Sequence, residues 1–272
     1  MTIRERAQDF LSNLFGPEVQ RPFVLVSVEW SGDITDADIG QRFIESLCSR
    51  PALVPEQLGY GGEFKDRFKG TDHFGTEWWA SVSESQVDGR PKWTRRVGPE
   101  WRRKTSPRSQ GHVRHGVMDD KSRLNHSYAL LRAQWDPSCD YDGLFQAWCL
   151  LAPIRVGMLH LFAGPGHPPA SEAESWFQTG SFGGPMRPGL PNIGWAMAYG
   201  REHKSEIDAD AVRKAGFAID QHDAATIVRV TDTLADASDS FDRFSNRRAK
   251  LKSLFRPDLF WITEESTERA AD

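Results

Sequence analysis

The stretch Phe23-Val-Leu-Val-Ser-Val-Glu-Trp30 is dominated by β-branched and aromatic residues, which favour strands over helices. It therefore predicts a β-strand. The turn-forming triplet Ser31-Gly32-Asp33 follows it. Thr35 and Asp38 then form a capping-box pattern at the head of a segment whose apolar residues recur at helical spacing. A strand, a turn and a helix are thus predicted in succession.

Further strands are predicted later in the chain. The segments His126–Trp135, Ile154–Phe162 and Gly194–Gly200 have strand-favouring composition, and the short runs Phe217–Ile219 and Thr226–Val230 flank a turn, as in a hairpin. Helices and strands mix without a regular βαβ alternation, and several strands are linked by turns. We therefore expect an α+β fold with a largely antiparallel sheet and helices packed against it.

Apolar periodicity and stop signals predict the helices, because Pro and Gly residues end several periodic segments. The predicted helices span Ile3–Leu14, Tyr141–Leu151, Pro169–Phe177, Asp208–Ala215 and Ser238–Phe255. The order of the elements changes near residue 136, where a domain boundary is an alternative. No repeat of fixed period is evident, and we expect a single domain over residues 1–272.

The net charge is small, but the charged residues are unevenly distributed. The 272 residues include 34 basic and 38 acidic side chains, for a formal net charge of −4. Arg90–Arg132 holds twelve basic and three acidic residues, a local net charge of +9. Glu202–Asp242 holds ten acidic and four basic residues, a local −6, and Arg243–Arg256 holds six basic residues and no acid. Near-neutrality excludes a protein that coats nucleic acid with its whole surface, but it leaves local charged sites open.

Residues 98–123 are rich in Arg, Lys, Ser, Gly and His, and this composition predicts a long exposed basic loop. His112 and His115 lie in it and are expected to be solvated, because their cationic neighbours disfavour a divalent metal ion. Trp93 and Trp101 are interleaved with the basic residues. Their rings could stack on nucleic-acid bases while the Lys and Arg side chains neutralise phosphates.

The sequence makes no positive case for catalysis. Phosphate-binding motifs of the GxxxxGK[ST] and GxGxxG types and the GxSxG nucleophile elbow are absent. Glu63-Phe64-Lys65 matches half of a metal-dependent nuclease site, but no partner acid is obvious upstream. Cys48, Cys139 and Cys149 form no CxxC pair, which argues against disulfides and a zinc site. We expect no catalytic residue, no metal site and no cofactor, and therefore not an enzyme.

The sequence also lacks membrane signals. No apolar run approaches the roughly 18–20 residues that span a bilayer. The first ten residues mix charges of both signs and lack the apolar core of a secretory signal. We expect a cytoplasmic protein that does not contact the membrane.

The acidic stretch suits a basic protein partner, because complementary charge steers encounter and fixes register. Trp195 and Tyr199 lie close to this stretch but are expected in the core. The predicted partner-binding residues are Glu202, Asp208, Asp210, Asp220 and Asp223. In the alternative hypothesis, the 90–132 segment binds nucleic acid or belongs to a nuclease-like site.

The order of elements in the C-terminal half resembles a known family. Gly194-Trp-Ala-Met-Ala-Tyr199 precedes an acidic helix, a strand ending in Val228-Arg-Val-Thr-Asp232, the triplet Ser240-Phe241-Asp242 and a terminal helix. The strand ending at Trp30 and the following helix with Arg42-Phe43 are similar to the opening of the same family. This pattern resembles the immunity proteins of bacterial polymorphic toxin and type VI secretion systems, in particular the Imm52-like group.

The resemblance implies a cytosolic protector without chemistry of its own. Such a protein binds its cognate toxin effector, often a nuclease, and blocks the active site or the substrate groove, although binding elsewhere is also known. A nuclease groove is basic, so the acidic stretch is the surface that this role implies. Nucleic acid is then not expected as a partner, and the sequence does not predict the oligomeric state.

Overall fold

A computed structural model describes residues 22–60, 62–78, 81–87, 90–116, 126–163, 171–182 and 189–264, with only the backbone considered for 81–97. The strands are β1 Phe23–Trp30, β2 Gln57–Tyr60, β3 Glu63–Arg67, β4 Ser81–Val87, β5 Arg90–Arg103, β6 Ser109–Arg114, β7 Ser127–Gln134, β8 Ile154–Phe162, β9 Ala196–Tyr199, β10 Ala218–Gln221 and β11 Thr226–Arg229. The α-helices are α1 Ala37–Cys48, α2 Thr71–Thr76, α3 Tyr141–Cys149, α4 Glu172–Thr179, α5 Ala209–Lys214, α6 Asp236–Asp239 and α7 Phe241–Lys252. Two 3-10 helices span Pro51–Leu53 and Arg201–Glu206.

All these strands belong to one 11-stranded sheet, in the order β10-β11-β9-β8-β1-β7-β6-β5-β2-β3, with β4 beside the first half of β5. Every pairing between them is antiparallel. The predicted α+β class with an antiparallel sheet is therefore confirmed. The predicted hairpin of β10 and β11 is also present.

Strand β1 lies in the middle of the sheet and is buried along its whole length. Side chains alternate between the two faces of a strand, so Ser27 and Trp30 point to opposite sides. The Trp30 indole donates a hydrogen bond to Trp148 O at the end of α3, and the Ser27 hydroxyl donates to Gly180 O just after α4. Helical segments therefore cover both faces of β1, which explains why its sequence is apolar throughout.

An aromatic cluster fills the core on the α3 side. The Phe43 ring of α1 stacks on Trp148 with 4.4 Å between centroids and lies 5.2 Å from Trp78 and 5.5 Å from Trp101.

Helix α1 begins one residue later than the capping box predicts, because the Asp36 carboxylate, rather than Thr35, accepts the hydrogen bond of a first-turn amide.

The predicted exposed loop over residues 98–123 is wrong for the part that the structure describes. Residues 98–103 continue strand β5, and Ser109–Arg114 form β6, which pairs with both β5 and β7. Arg114 of β6 pairs with Glu100 of β5, whereas Trp101 and Val113 are buried in the core. Residues 117–123 of the predicted loop and the predicted helix Ile3–Leu14 lie outside the described residues.

Within the described part of the chain, no helix is long and apolar enough to cross a membrane.

Candidate protein-binding surface

The structure places the five predicted acidic residues around one end of the sheet. Strand β9 ends at Tyr199, which pairs with Thr226 at the start of β11, and Thr226 pairs in turn with Gln221 at the end of β10. Glu202 lies in the 3-10 helix that follows β9, and Asp223 lies in the turn between β10 and β11.

Asp208 and Asp210 lie at the N-terminus of α5, beside the same end of β10. The Arg213 side chain donates to Asp210 Oδ1 at 2.9 Å and also to the Gln221 side chain, which joins α5 to β10. The Asp208 carboxylate caps the helix by accepting from the amides of Asp210 and Ala211. Asp208 is therefore engaged as an N-cap, and the exposed Asp210 already has an ion-pair partner.

Asp220 is also engaged within the protein. Its Oδ2 lies 2.6 Å from Nη1 of Arg229, a largely buried residue that also pairs with Asp142 of α3 at 3.0 Å. The two carboxylates hold this arginine and connect β10, β11 and α3. Asp223, by contrast, is exposed to solvent, so its charge is available to a partner.

Glu202 belongs to a buried ionic cluster that the sequence did not predict. Arg155 of β8 is only 1% exposed and donates to Glu29 Oε2 at 2.6 Å and to Phe182 O at 2.8 Å. Its Nη1 lies 4.0 Å from Glu202 Oε2, beyond hydrogen-bond distance, and the Glu202 side chain is 51% exposed. Glu202 thus faces solvent on one side and a fixed buried cation on the other.

Three buried polar atoms near Glu202 have no hydrogen-bond partner among the described residues: Nε of Arg155, Oη of Tyr199 and Nε2 of His203. The Tyr199 and His203 rings meet edge to face, 6.4 Å apart. Burial, and after it the charge of Arg155, lower the pKa of His203 below its ordinary 6.5. Burial likewise raises the pKa of Tyr199, so both side chains are neutral near pH 7. The expected core position of Tyr199 and of Trp195 is confirmed.

The six basic residues of Arg243–Arg256 all contact other residues of the same chain. Arg247 donates to Val230 O at 2.6 Å and to Gly216 O at 2.8 Å, and Lys250 donates to Ala215 O at 3.1 Å. Ala215 and Gly216 follow the C-terminus of α5, where cations are favourable. Arg243 pairs with Asp236, and Arg256 pairs with Glu206. Arg248 lies over the Phe244 ring, and Lys252 donates to Ile262 O.

The basic 90–132 segment offers less to nucleic acid than its charge suggests. Trp101 is fully buried, so it cannot stack on bases, and the side chain of Trp93 lies outside the described part. Arg114 pairs with Glu100 at 2.5 Å. Arg132 is buried over the Phe23 ring, and burial lowers the pKa of its guanidinium to about 10. Nucleic-acid binding by this segment remains a prediction, with fewer exposed groups to support it.

His112 and His115 are buried, so their predicted solvation is wrong. The ring of His112 lies against Tyr128, and Nε2 of His115 lies 2.5 Å from Trp78 O. His112 lies in β6 and His115 directly follows it, so both rings are inside the fold. Glu63 and Lys65 lie on the exposed edge strand β3 and pair with each other.

In the described part of the chain, no group of three or more His, Cys, Asp or Glu side chains is placed to hold a metal ion. All three cysteines are free thiols. Burial raises the pKa of Cys149 well above its ordinary value, so its thiol is not activated as a nucleophile. Burial also raises the pKa values of Cys48 and Cys139, to about 11 each.

Comparison with known proteins identifies a structural neighbour. No family model matches the chain, and no curated protein matches it in sequence. Among solved structures, the chain is similar to the Pseudomonas aeruginosa T6SS protein PA0821, with a TM-score of 0.50 and 10% sequence identity. The alignment covers 89% of this chain and 76% of that chain. At this identity the similarity shows a shared fold.

Proposed function

We propose that this protein is an immunity protein that binds and neutralises a toxin effector of a type VI secretion system. The observation that carries the proposal is the fold shared with a T6SS protein over 89% of the chain. The order of elements after Gly194, which resembles Imm52-like immunity proteins, supports the same class. In this role the protein acts in the cytoplasm, binds protein rather than nucleic acid and carries out no reaction of its own.

The proposed function implies that a neighbouring gene encodes the toxin, and co-expression with the product of that gene tests it. We expect the protein to restore growth of cells that produce the toxin, and the purified pair to elute as one complex from a sizing column. A DNA and RNA titration at low salt is the matched control, in which no binding is expected. Absence of a complex, or protection that persists without one, contradicts the proposal.

A further inference from the structure

Of the five predicted acidic residues, Glu202 and Asp223 are the two whose carboxylates have no hydrogen bond among the described contacts. Asp208 caps α5, while Asp210 and Asp220 each pair with an arginine. A partner that used one of these three would compete with an existing contact. The structure therefore narrows the predicted surface to the 3-10 helix after β9 and the neighbouring β10–β11 turn.

Glu202 is the more firmly placed of the two. Arg155 is held by Glu29 and Phe182 O, so the cation that faces Glu202 is fixed in position. Arg201 and Lys204 are exposed in the same 3-10 helix, but long basic side chains in solvent lose conformational entropy when a partner orders them. The charge that is already positioned in this helix is therefore negative.

The unpartnered buried atoms give a second, independent reason to choose this place. Buried polar atoms without hydrogen bonds are rare in native proteins, and each costs about 1–3 kcal/mol. Three of them belong to residues at this place: His203 is part of the 3-10 helix, Tyr199 ends the strand before it, and Arg155 faces Glu202. The helix itself has hydrogen bonds of modest geometry, such as Ile207 N to Lys204 O at 3.4 Å. This long bond is the one that a partner can displace at little cost, while the pair of Arg256 with Glu206 at 2.8 Å keeps the end of the helix in place.

Building on the proposed function, we propose that the toxin docks on the surface formed by Arg201–Glu206 and Asp223. The partner has a basic side chain, an arginine or a lysine, that pairs with the outer oxygens of Glu202. Asp223 meets a second cation of the same partner at the rim. The partner's cation forms the close ion pair that Glu202 lacks within the protein, since Arg155 Nη1 is 4.0 Å from Glu202 Oε2.

Calorimetric titration of the toxin with charge-reversed variants tests this surface. We expect Glu202→Lys to weaken binding more than tenfold, because it replaces attraction by repulsion, and Asp223→Lys to weaken it severalfold. Asp232→Lys is the matched control, since Asp232 is exposed beyond the opposite end of β11. The affinity of this variant for the toxin should stay within twofold of wild type.

The outcomes separate the surface from the function. If wild type binds the toxin and both Glu202→Lys and Asp223→Lys bind equally well, the surface is wrong while the immunity function stands. If wild type binds no toxin, both proposals fail. Thermal unfolding checks that Glu202→Lys is folded. If that variant is unfolded, the affinity of Asp223→Lys, a substitution in an exposed turn, decides whether the surface binds the toxin.

Discussion

Helix α7 and the 3-10 helix Arg201–Glu206 are both rich in charge, but they use it in opposite ways. The bases of α7 donate to loop carbonyls and carboxylates of the same chain, as Arg247 does with Val230 O and Gly216 O. Around the 3-10 helix, Glu202 is half exposed and three buried polar atoms have no partner in the described structure. The comparison shows that a local charge count does not tell which charges are available to a partner.

The largest expected effect comes from the buried cation beneath the 3-10 helix. Arg155→Met leaves Glu29 buried without the guanidinium that it accepts from. Breaking such a pair costs about 3–5 kcal/mol of unfolding free energy, which urea titration measures. The double variant with Glu29→Leu should recover most of this loss, because it removes the buried carboxylate together with the guanidinium. A loss below about 1 kcal/mol in the single variant would show that the ionic cluster is not structural.

A smaller effect is expected on the α7 side. Arg247→Met removes two charge-assisted hydrogen bonds and the contact with the Phe217 ring, and should lower the unfolding free energy by about 1.5–3 kcal/mol. Lys204→Met, on the exposed face of the 3-10 helix, is the control and should stay within about 0.5 kcal/mol of wild type. Equal losses in the two variants would erase the contrast between the two helices.

The third prediction concerns pH. Burial, and after it the charge of Arg248, hold the pKa of His160 well below its ordinary 6.5. Below pH 6.5 the unfolded chain takes up a proton that the folded protein excludes, so stability present above that pH is lost as the pH falls. Between pH 7.5 and 5.5 this residue alone should lower the unfolding free energy by about 1.4 kcal/mol.

His160→Phe is the matched variant for the pH experiment. The imidazole is surrounded by the rings of Phe162, Phe177 and Phe244, so a phenyl ring suits the site. The decrease in stability on acidification should be smaller in this variant by the amount assigned to His160. Identical pH profiles would mean that His160 is not buried in its neutral form.

The smallest effect separates two buried tyrosines. The Tyr141 hydroxyl donates to Gln134 O at 2.9 Å, whereas the Tyr199 hydroxyl has no partner in the part of the chain described. Tyr141→Phe should cost about 1 kcal/mol, and Tyr199→Phe should be neutral or slightly stabilising. Chemical denaturation measures both. A loss at Tyr199 as large as that at Tyr141 would show that its hydroxyl is hydrogen-bonded.

The parts of the fold that the sequence predicts well are those whose pattern is local. Phe23–Trp30 and Ile154–Phe162 are apolar, β-rich runs, and the structure forms strands over those same residues. Strand β6 was missed because its Gln110, His112 and Arg114 look like loop residues. Such polar residues are stable in a strand when residues distant in sequence pair with them, as Glu100 pairs with Arg114.

The sequence singled out the acidic residues of the candidate surface but not their contacts within the fold. The structure places them around one end of the sheet, but the arginines that pair with Asp210 and Asp220 could not be assigned without the fold. A usable signal for the buried cluster does exist in the sequence. Glu29 and Arg155 are lone charges within two apolar strands, and opposite charges in such strands pair when the strands are neighbours.

The most direct test of the contrast between the two helices measures Glu202→Lys and Arg247→Met in the same two assays: toxin affinity and unfolding free energy. We predict a crossover. Glu202→Lys should bind the toxin more than tenfold more weakly with little loss of stability, whereas Arg247→Met should be less stable but bind normally when folded. If folded Arg247→Met loses as much affinity as Glu202→Lys, the 3-10 helix is not the distinct partner surface that we propose.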